Sequence, residues 1–98
     1  MARNTIQITC VSTGSSGSPY ERITHVGATL HGKFWRITQR EAIAHLESGE
    51  WTFYVDPPEQ ESTWVVIATT RSGLKYLKAQ RDRDEPRILL ALPECVAP

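Results

Sequence analysis

The sequence predicts an α+β fold, a small, mostly antiparallel β-sheet with one α-helix packed on one face. Three observations carry that prediction. Residues 38–49 hold a start signal, apolar residues at helical spacing and a stop signal. Residues 51–55 follow at once and alternate as a strand does. Elsewhere the chain falls into short alternating or β-branched runs separated by turn residues.

In chain order, Thr5-Ile6-Gln7-Ile8-Thr9-Cys10 alternates cleanly, and Ile6, Ile8 and Cys10 share one face. Cys10 therefore reads as a small core residue. Gly14-Ser15-Ser16-Gly17-Ser18-Pro19 has the composition of a flexible loop. Ile23-Thr24-His25-Val26-Gly27 predicts a short strand that ends at the glycine. The stretch from Ala28 to Lys33 is ambiguous, with a turn indicated at Gly32. Phe34-Trp35-Arg36-Ile37 is extended and runs into the helix.

Thr38 is a good N-cap, because its hydroxyl can accept from a backbone N–H of the first turn. Glu41, three residues on, can reach back to the Thr38 N–H and complete a capping box. Ala42, Ile43 and Leu46 fall on one side, and Gly49 supplies the left-handed residue that ends a helix cheaply.

Trp51, Phe53 and Val55 then alternate with Thr52 and Tyr54 in a half-buried strand. Asp56-Pro57-Pro58-Glu59-Gln60-Glu61-Ser62 is a turn or protruding loop. Trp64-Val65-Val66-Ile67-Ala68 is apolar at successive positions, which predicts an interior strand covered on both sides or at least over most of them. Arg71-Ser72-Gly73 is a turn, and Leu74-Lys75-Tyr76-Leu77 is the return strand of a hairpin. The apolar segment Ile88-Leu89-Leu90-Ala91-Leu92-Pro93 should dock on the core.

At 98 residues the expected organisation is one domain, residues 1–98, burying about 65% of its unfolded surface. No apolar run approaches membrane-spanning length, and Met1-Ala2-Arg3-Asn4 lacks the apolar core of a signal peptide. The expected location is the cytoplasm. Two cysteines, Cys10 and Cys95, are too few for a disulfide scaffold and show no metal-ligand spacing. In a reducing compartment a bond between them is the minor alternative.

Eleven basic and eleven acidic residues cancel, which weakens a generic nucleic-acid reading. They do not cancel locally. Residues 41–62 hold Glu41, Glu47, Glu50, Asp56, Glu59 and Glu61 and no Lys or Arg. Residues 71–87 hold Arg71, Lys75, Lys78, Arg81, Arg83 and Arg87 against Asp82, Asp84 and Glu85. Clustered charge of one sign steers encounter with a partner of the other, although an ordinary solvated surface also looks like this.

Several blocks together carry a resemblance. They are Ile23-Thr24-His25-Val26-Gly27; Trp35-Arg36-Ile37-Thr38 with Glu41-Ala42-Ile43; Gly49 with Phe53-Tyr54-Val55; Gly73-Leu74-Lys75-Tyr76-Leu77; and Leu89-Leu90 with Leu92-Pro93-Glu94-Cys95. In this order the chain resembles a small, uncharacterised bacterial domain family of unknown function, over nearly its whole length. It departs from the family pattern at Gly27-Ala28, where a glycine pair is usual, and in an extra residue before Lys75. The resemblance implies a fold and no activity. Genes of this kind also occur on mobile elements, which implies accessory roles, including inhibition of host defence.

Chemistry candidates are few. His25 needs a carboxylate or second ligand in reach, and only Glu21 is near in sequence, so a structural, hydrogen-bonded histidine is expected. A metal set drawn from Cys10, His25, His31 and Cys95 lacks the paired spacing of a zinc site. A Cys95–His25 nucleophile pair sits beside Glu94, which disfavours the thiolate. Gly14-Ser15-Ser16-Gly17 lacks the Lys and helix start of a phosphate loop. No cofactor, metal or catalytic residue is expected.

The expected function is therefore a non-enzymatic protein-interaction module. Its partner edge is assigned to Glu47, Glu50, Asp56, Glu59 and Glu61, and the partner is expected to be a protein, such as a basic nucleic-acid-binding complex. A concrete form is a phage or mobile-element inhibitor of a bacterial defence complex, anti-CRISPR-like, with the acids as a decoy. The alternative is nucleic-acid binding through Arg71, Lys75, Tyr76, Lys78, Arg81 and Arg83. A third is a small enzyme or ligand-binding domain around His25 and Cys95.

Overall fold

The computed structural model describes residues 4–15, 17–30, 32–58 and 60–96, with Leu30 described by its backbone alone. The elements run β1 (Asn4–Gln7), β2 (Cys10–Thr13), α1 (Pro19–Arg22), β3 (Ile23–Leu30), β4 (Lys33–Thr38), α2 (Gln39–Ser48), β5 (Trp51–Val55), β6 (Thr63–Thr69), β7 (Lys75–Ala79) and α3 (Arg87–Leu90). The fold is α+β and mostly antiparallel. It has two sheets where the sequence predicted one: a four-stranded sheet ordered β1-β5-β6-β7 and a three-stranded sheet ordered β2-β3-β4. Only β1 and β5 run parallel within these sheets.

The first apolar run makes both sheets. The Ile8 N–H donates to the Tyr54 carbonyl at 2.9 Å and continues the β1–β5 ladder, while the Thr9 N–H donates to Gly27 at 2.9 Å and opens the second. The chain thus changes sheets between Ile8 and Thr9, with Ile8 buried among residues from both. Alternation shows which side chains turn inward but is blind to the identity of the strand alongside, so this crossing leaves no mark in the sequence.

The helix signals of residues 38–49 are met. The Thr38 hydroxyl accepts from the Glu41 N–H at 3.0 Å, the Glu41 carboxylate accepts from the Thr38 N–H at 2.9 Å, and Gly49 is left-handed at φ 79°. The helix touches β3 and β4 of one sheet and β5, β6 and β7 of the other, so it does not lie on one face of a single sheet. Gln39 ties the two sheets together: its amide donates to the Ile23 carbonyl at 2.9 Å and accepts from the Leu77 N–H at 2.8 Å. That second bond satisfies a donor on the edge strand β7.

Thr38→Ala should cost about 1 kcal/mol in a denaturant melt through loss of the cap. The Glu41 carboxyl is held below the ordinary carboxylate range, first by the Thr38 N–H and then by its hydroxyl. A pKa depressed only in the folded state adds stability above the unfolded value, and this is lost as pH falls through the folded one. The stability gap between the native protein and Glu41→Ala should therefore narrow on acidification through the carboxylate range.

Two strand predictions need correction. The strand begun at Ile23 does not end at Gly27; it continues to Leu30, turns at Gly32 (φ 77°) and returns as β4. Gly27 is a mid-strand residue because of crowding. A Cβ there would stand 2.3 Å from the Trp35 carbonyl oxygen and 3.3 Å from Cys95 Sγ. The run from Trp64 to Ala68 does lie between two strands, but its outer face is covered only in part: Val66 and Ala68 are half-buried, whereas Trp64 is 49% exposed.

The apolar tail docks as expected, with Leu89 fully buried. Beyond it the chain lies parallel to β2, with the Val11 N–H donating to Pro93 at 3.0 Å and the Cys95 N–H donating to Val11 at 2.9 Å. Cys10 and Cys95 are joined in a disulfide, Cα to Cα 4.9 Å, where the sequence favoured two separate buried thiols. No helix among the described residues is long and apolar enough to cross a membrane.

Candidate binding surface

Register places the outward side chains of the four-stranded sheet. Thr5 stands opposite Thr52 on β1 and β5, Tyr54 opposite Trp64 on β5 and β6, and Val66 opposite Lys78 on β6 and β7. Their chain neighbours Phe53, Val65 and Leu77 point the other way and are buried. The Tyr54 and Trp64 rings meet edge to face, centroids 6.3 Å apart at 78°. A shallow cleft of about 400 Å³ is lined by these two rings with Thr5, Ser62 and Thr63. The Thr52 hydroxyl reaches Thr5 Oγ1 at 3.4 Å, a row of hydroxyls beside the rings. A large aromatic left half in water on a middle strand is unusual, because its burial is favourable and neighbours could have covered it.

The β7 side of the same face is closed. Tyr76 is buried, its ring 4.7 Å from that of Tyr20 on α1, and its hydroxyl donates to the Asp84 carbonyl at 2.6 Å. Burial, then the neighbouring Tyr20 and Asp84, push that hydroxyl's pKa up. Tyr76 was expected as the aromatic interleaved with the basic segment; buried in this way, it offers no ring for stacking. The exposed ring is Trp64 on β6 instead, with the half-buried Tyr54 of β5 against it.

The basic segment is divided. Arg71 stands exposed in the β6–β7 turn, and Lys75 pairs with Glu47 of α2. At the far end of β7, Lys78 donates to the carbonyls of Asp82 and Arg83 at 2.8 and 2.9 Å, and Arg81 donates to the Glu61 carbonyl. Arg83 is exposed. Arg81 therefore sits beside the loop that leads into Trp64, whereas Arg71 is a strand length away, about 17 Å for five residues.

The acidic residues are divided too. Glu47 meets Lys75, and Glu50 accepts from Ser48 and lies 3.2 Å from His45 Nδ1. His45 in turn stacks on Trp51, centroids 3.9 Å apart. At the other end of β5, Asp56 accepts from the Ser62 hydroxyl at 3.0 Å, and Glu61 is exposed. Glu59 lies outside the described residues.

His25 is half-buried, with Nδ1 2.9 Å from the Thr24 hydroxyl. The sulfur of Cys95 is bonded to Cys10, so neither cysteine offers a thiol to His25 or to a metal in this state. Among the described residues no three His, Cys, Asp or Glu side chains stand close enough to hold a metal ion, and His31 lies outside them.

A family model described as "Protein of unknown function (DUF3892)" matches residues 7–93. No curated protein and no solved structure matches the chain. The chain belongs to the DUF3892 family.

Proposed function

We propose that this member of the family is a non-enzymatic binding module whose working surface is the open face of its four-stranded sheet, centred on Tyr54 and Trp64. The observation that carries the reading is Trp64, half in water on a middle strand with Tyr54 against it. Its fellow aromatics Trp35, Trp51 and Phe53 are drawn into the core or packed on it. Binding energy concentrates in such aromatics once a partner excludes water from them.

A photo-reactive amino acid placed at Val66, on that face, should crosslink to a partner in cells. The same group at Glu47 should give none. Adducts from position 47 alone would move the working surface to the end of α2.

The acidic edge is the second reading, favoured by one observation: the Glu50 side chain is 65% exposed despite its histidine neighbour. On that reading Glu47, Glu50, Asp56, Glu59 and Glu61 dock on a basic protein partner. Inhibition by a phage or mobile element of a bacterial nucleic-acid-binding complex is its narrow form.

The cytoplasm remains the proposed location, with one condition. The Cys10–Cys95 bond must survive a reducing poise there, shielded by the burial of both residues. Alkylation in intact cells should find no free thiol; two free thiols would mean that the bond opens in that compartment.

A further inference from the structure

We propose that the Cys10–Cys95 bond is a redox latch: a dithiol reductant opens it, and the strap of residues 93–96 lifts off the outer edge of β2 while the body of the domain stays folded. The latch is independent of which face of the molecule is the working surface. Three observations carry it.

The first is how little else holds the strap. Within residues 93–96, Cys95 is buried, whereas Pro93, Glu94 and Val96 are exposed, Val96 at 71%. Two main-chain bonds tie the strap to Val11: the Val11 N–H donates to Pro93 at 3.0 Å, and the Cys95 N–H donates to the Val11 carbonyl at 2.9 Å. The Glu94 carboxylate accepts from the Thr13 N–H and hydroxyl at 3.3 and 3.4 Å, both at the surface. Water competes for such bonds and leaves them little net strength, while ordering the strap costs conformational entropy. The disulfide therefore supplies most of what keeps the strap down.

The second is that the body does not use the strap. The buried cluster runs no further along the described chain than Leu89, with Leu90 and Leu92 packed against it. The turn of α3 closes on its own bonds, from the Leu90 N–H to Pro86 at 2.9 Å and from the Leu92 N–H to Leu89 at 3.1 Å. Release of the chain after Leu92 thus leaves the core in place.

The third is what the strap covers. β2 is the edge of the three-stranded sheet, and the N–H and carbonyl of Val11 both bond to the strap. Lifting it bares these two groups and the Thr13 N–H. That edge is closed in the oxidised chain and open in the reduced one.

The step is thiol–disulfide exchange. A thiolate of the reductant attacks one sulfur of the bond, and the other leaves as a thiolate and takes up a proton. The second thiolate of the reductant then displaces the first protein sulfur, which is protonated in turn. Two electrons pass to the protein, and the reductant departs as a disulfide. Cys10 and Cys95 are only 6% and 7% exposed, so attack waits on fraying of the strap and the bond rests closed until a dithiol drives it open.

The test is amide NMR of the full chain in the cold, before dithiothreitol, after it, and after reoxidation. On reduction the Val11, Thr13 and Cys95 amides should lose their native shifts and exchange about tenfold faster or more. The Glu41, Leu77 and Gln80 amides, bonded to Thr38, Gln39 and Trp64, should keep their native shifts. Reoxidation should restore the strap signals. Cys95→Ala should show the open pattern without reductant and should not respond to it. Strap amides that keep their native shifts in the reduced chain and in Cys95→Ala would overturn the proposal, because the main-chain bonds would then hold the strap unaided. Collapse of all six signals together on reduction would overturn it as well, because the bond would then hold the whole fold rather than the strap.

Discussion

Replacing Cys10 and Cys95 together with alanine is expected to remove about 4–5 kcal/mol of stability. The bond closes a loop spanning 85 residues, almost the whole chain, and its loss frees the unfolded state of that constraint. In a domain of this size the melting temperature should fall by about 15–35 °C. A dithiol reductant should do the same to the native protein and nothing to the double variant. The damage should also be local. The Val11 and Cys95 amides, which bond across β2 and the tail, should lose protection from hydrogen exchange first. A variant as stable as the native chain would mean that α3 and the Val11–Glu94 bridge hold the tail without the bond.

Phe53→Ala is expected to cost about 3–5 kcal/mol, the range for a buried aromatic truncated in a core. Phe53 is fully buried, stands opposite Ile6 on one side and Val65 on the other, and has the rings of Trp35 and Trp51 at 6.4 and 5.9 Å. Those rings come from different sheets, so the cavity would open where the two sheets meet. Tyr54 and Trp64 make the internal contrast. They belong to the same two strands but face outward, and Trp64→Ala should cost about 1 kcal/mol or less because half of that ring is in water already. Denaturant melts with equal m-values would compare the two. Equal costs would contradict the assignment of inner and outer faces.

What was legible in the sequence was local. The capping box at Thr38 and Glu41, the stop at Gly49, the alternation from Trp51 to Val55 and the turn at Gly73 each depend on residues a few positions apart, and each stands in the structure. The docking of Leu89 was legible as well, since an apolar tail in water is costly. What stayed hidden was long-range. The pairing of Cys10 with Cys95 joins residues 85 apart, and a two-cysteine count does not register it. Gly27 looked like a strand end because a glycine usually is one; only the Trp35 carbonyl above it explains a glycine in mid-strand.

The candidate surface was hidden in a different way. Trp64, Val66 and Ala68 make the run apolar on its second face, and burial is the ordinary explanation of such a run. An apolar face kept open for a partner has the same composition as one covered by the protein itself. Tyr76 shows the converse: flanked by Lys75 and Lys78 in sequence, it turns under Tyr20 and is spent on the core.

Fluorine NMR of the protein labelled with 5-fluorotryptophan, in concentrated extract of the source cell, tests the central claim most directly. The three tryptophans report on three places. Trp64 lies on the open face, Trp51 stacks on His45 beside Glu50 at the acidic edge, and Trp35 lies against the core. The Trp64 resonance should shift or broaden while the Trp51 and Trp35 resonances hold. A shift of Trp51 with Trp64 unmoved would contradict the account and give the function to the acidic edge.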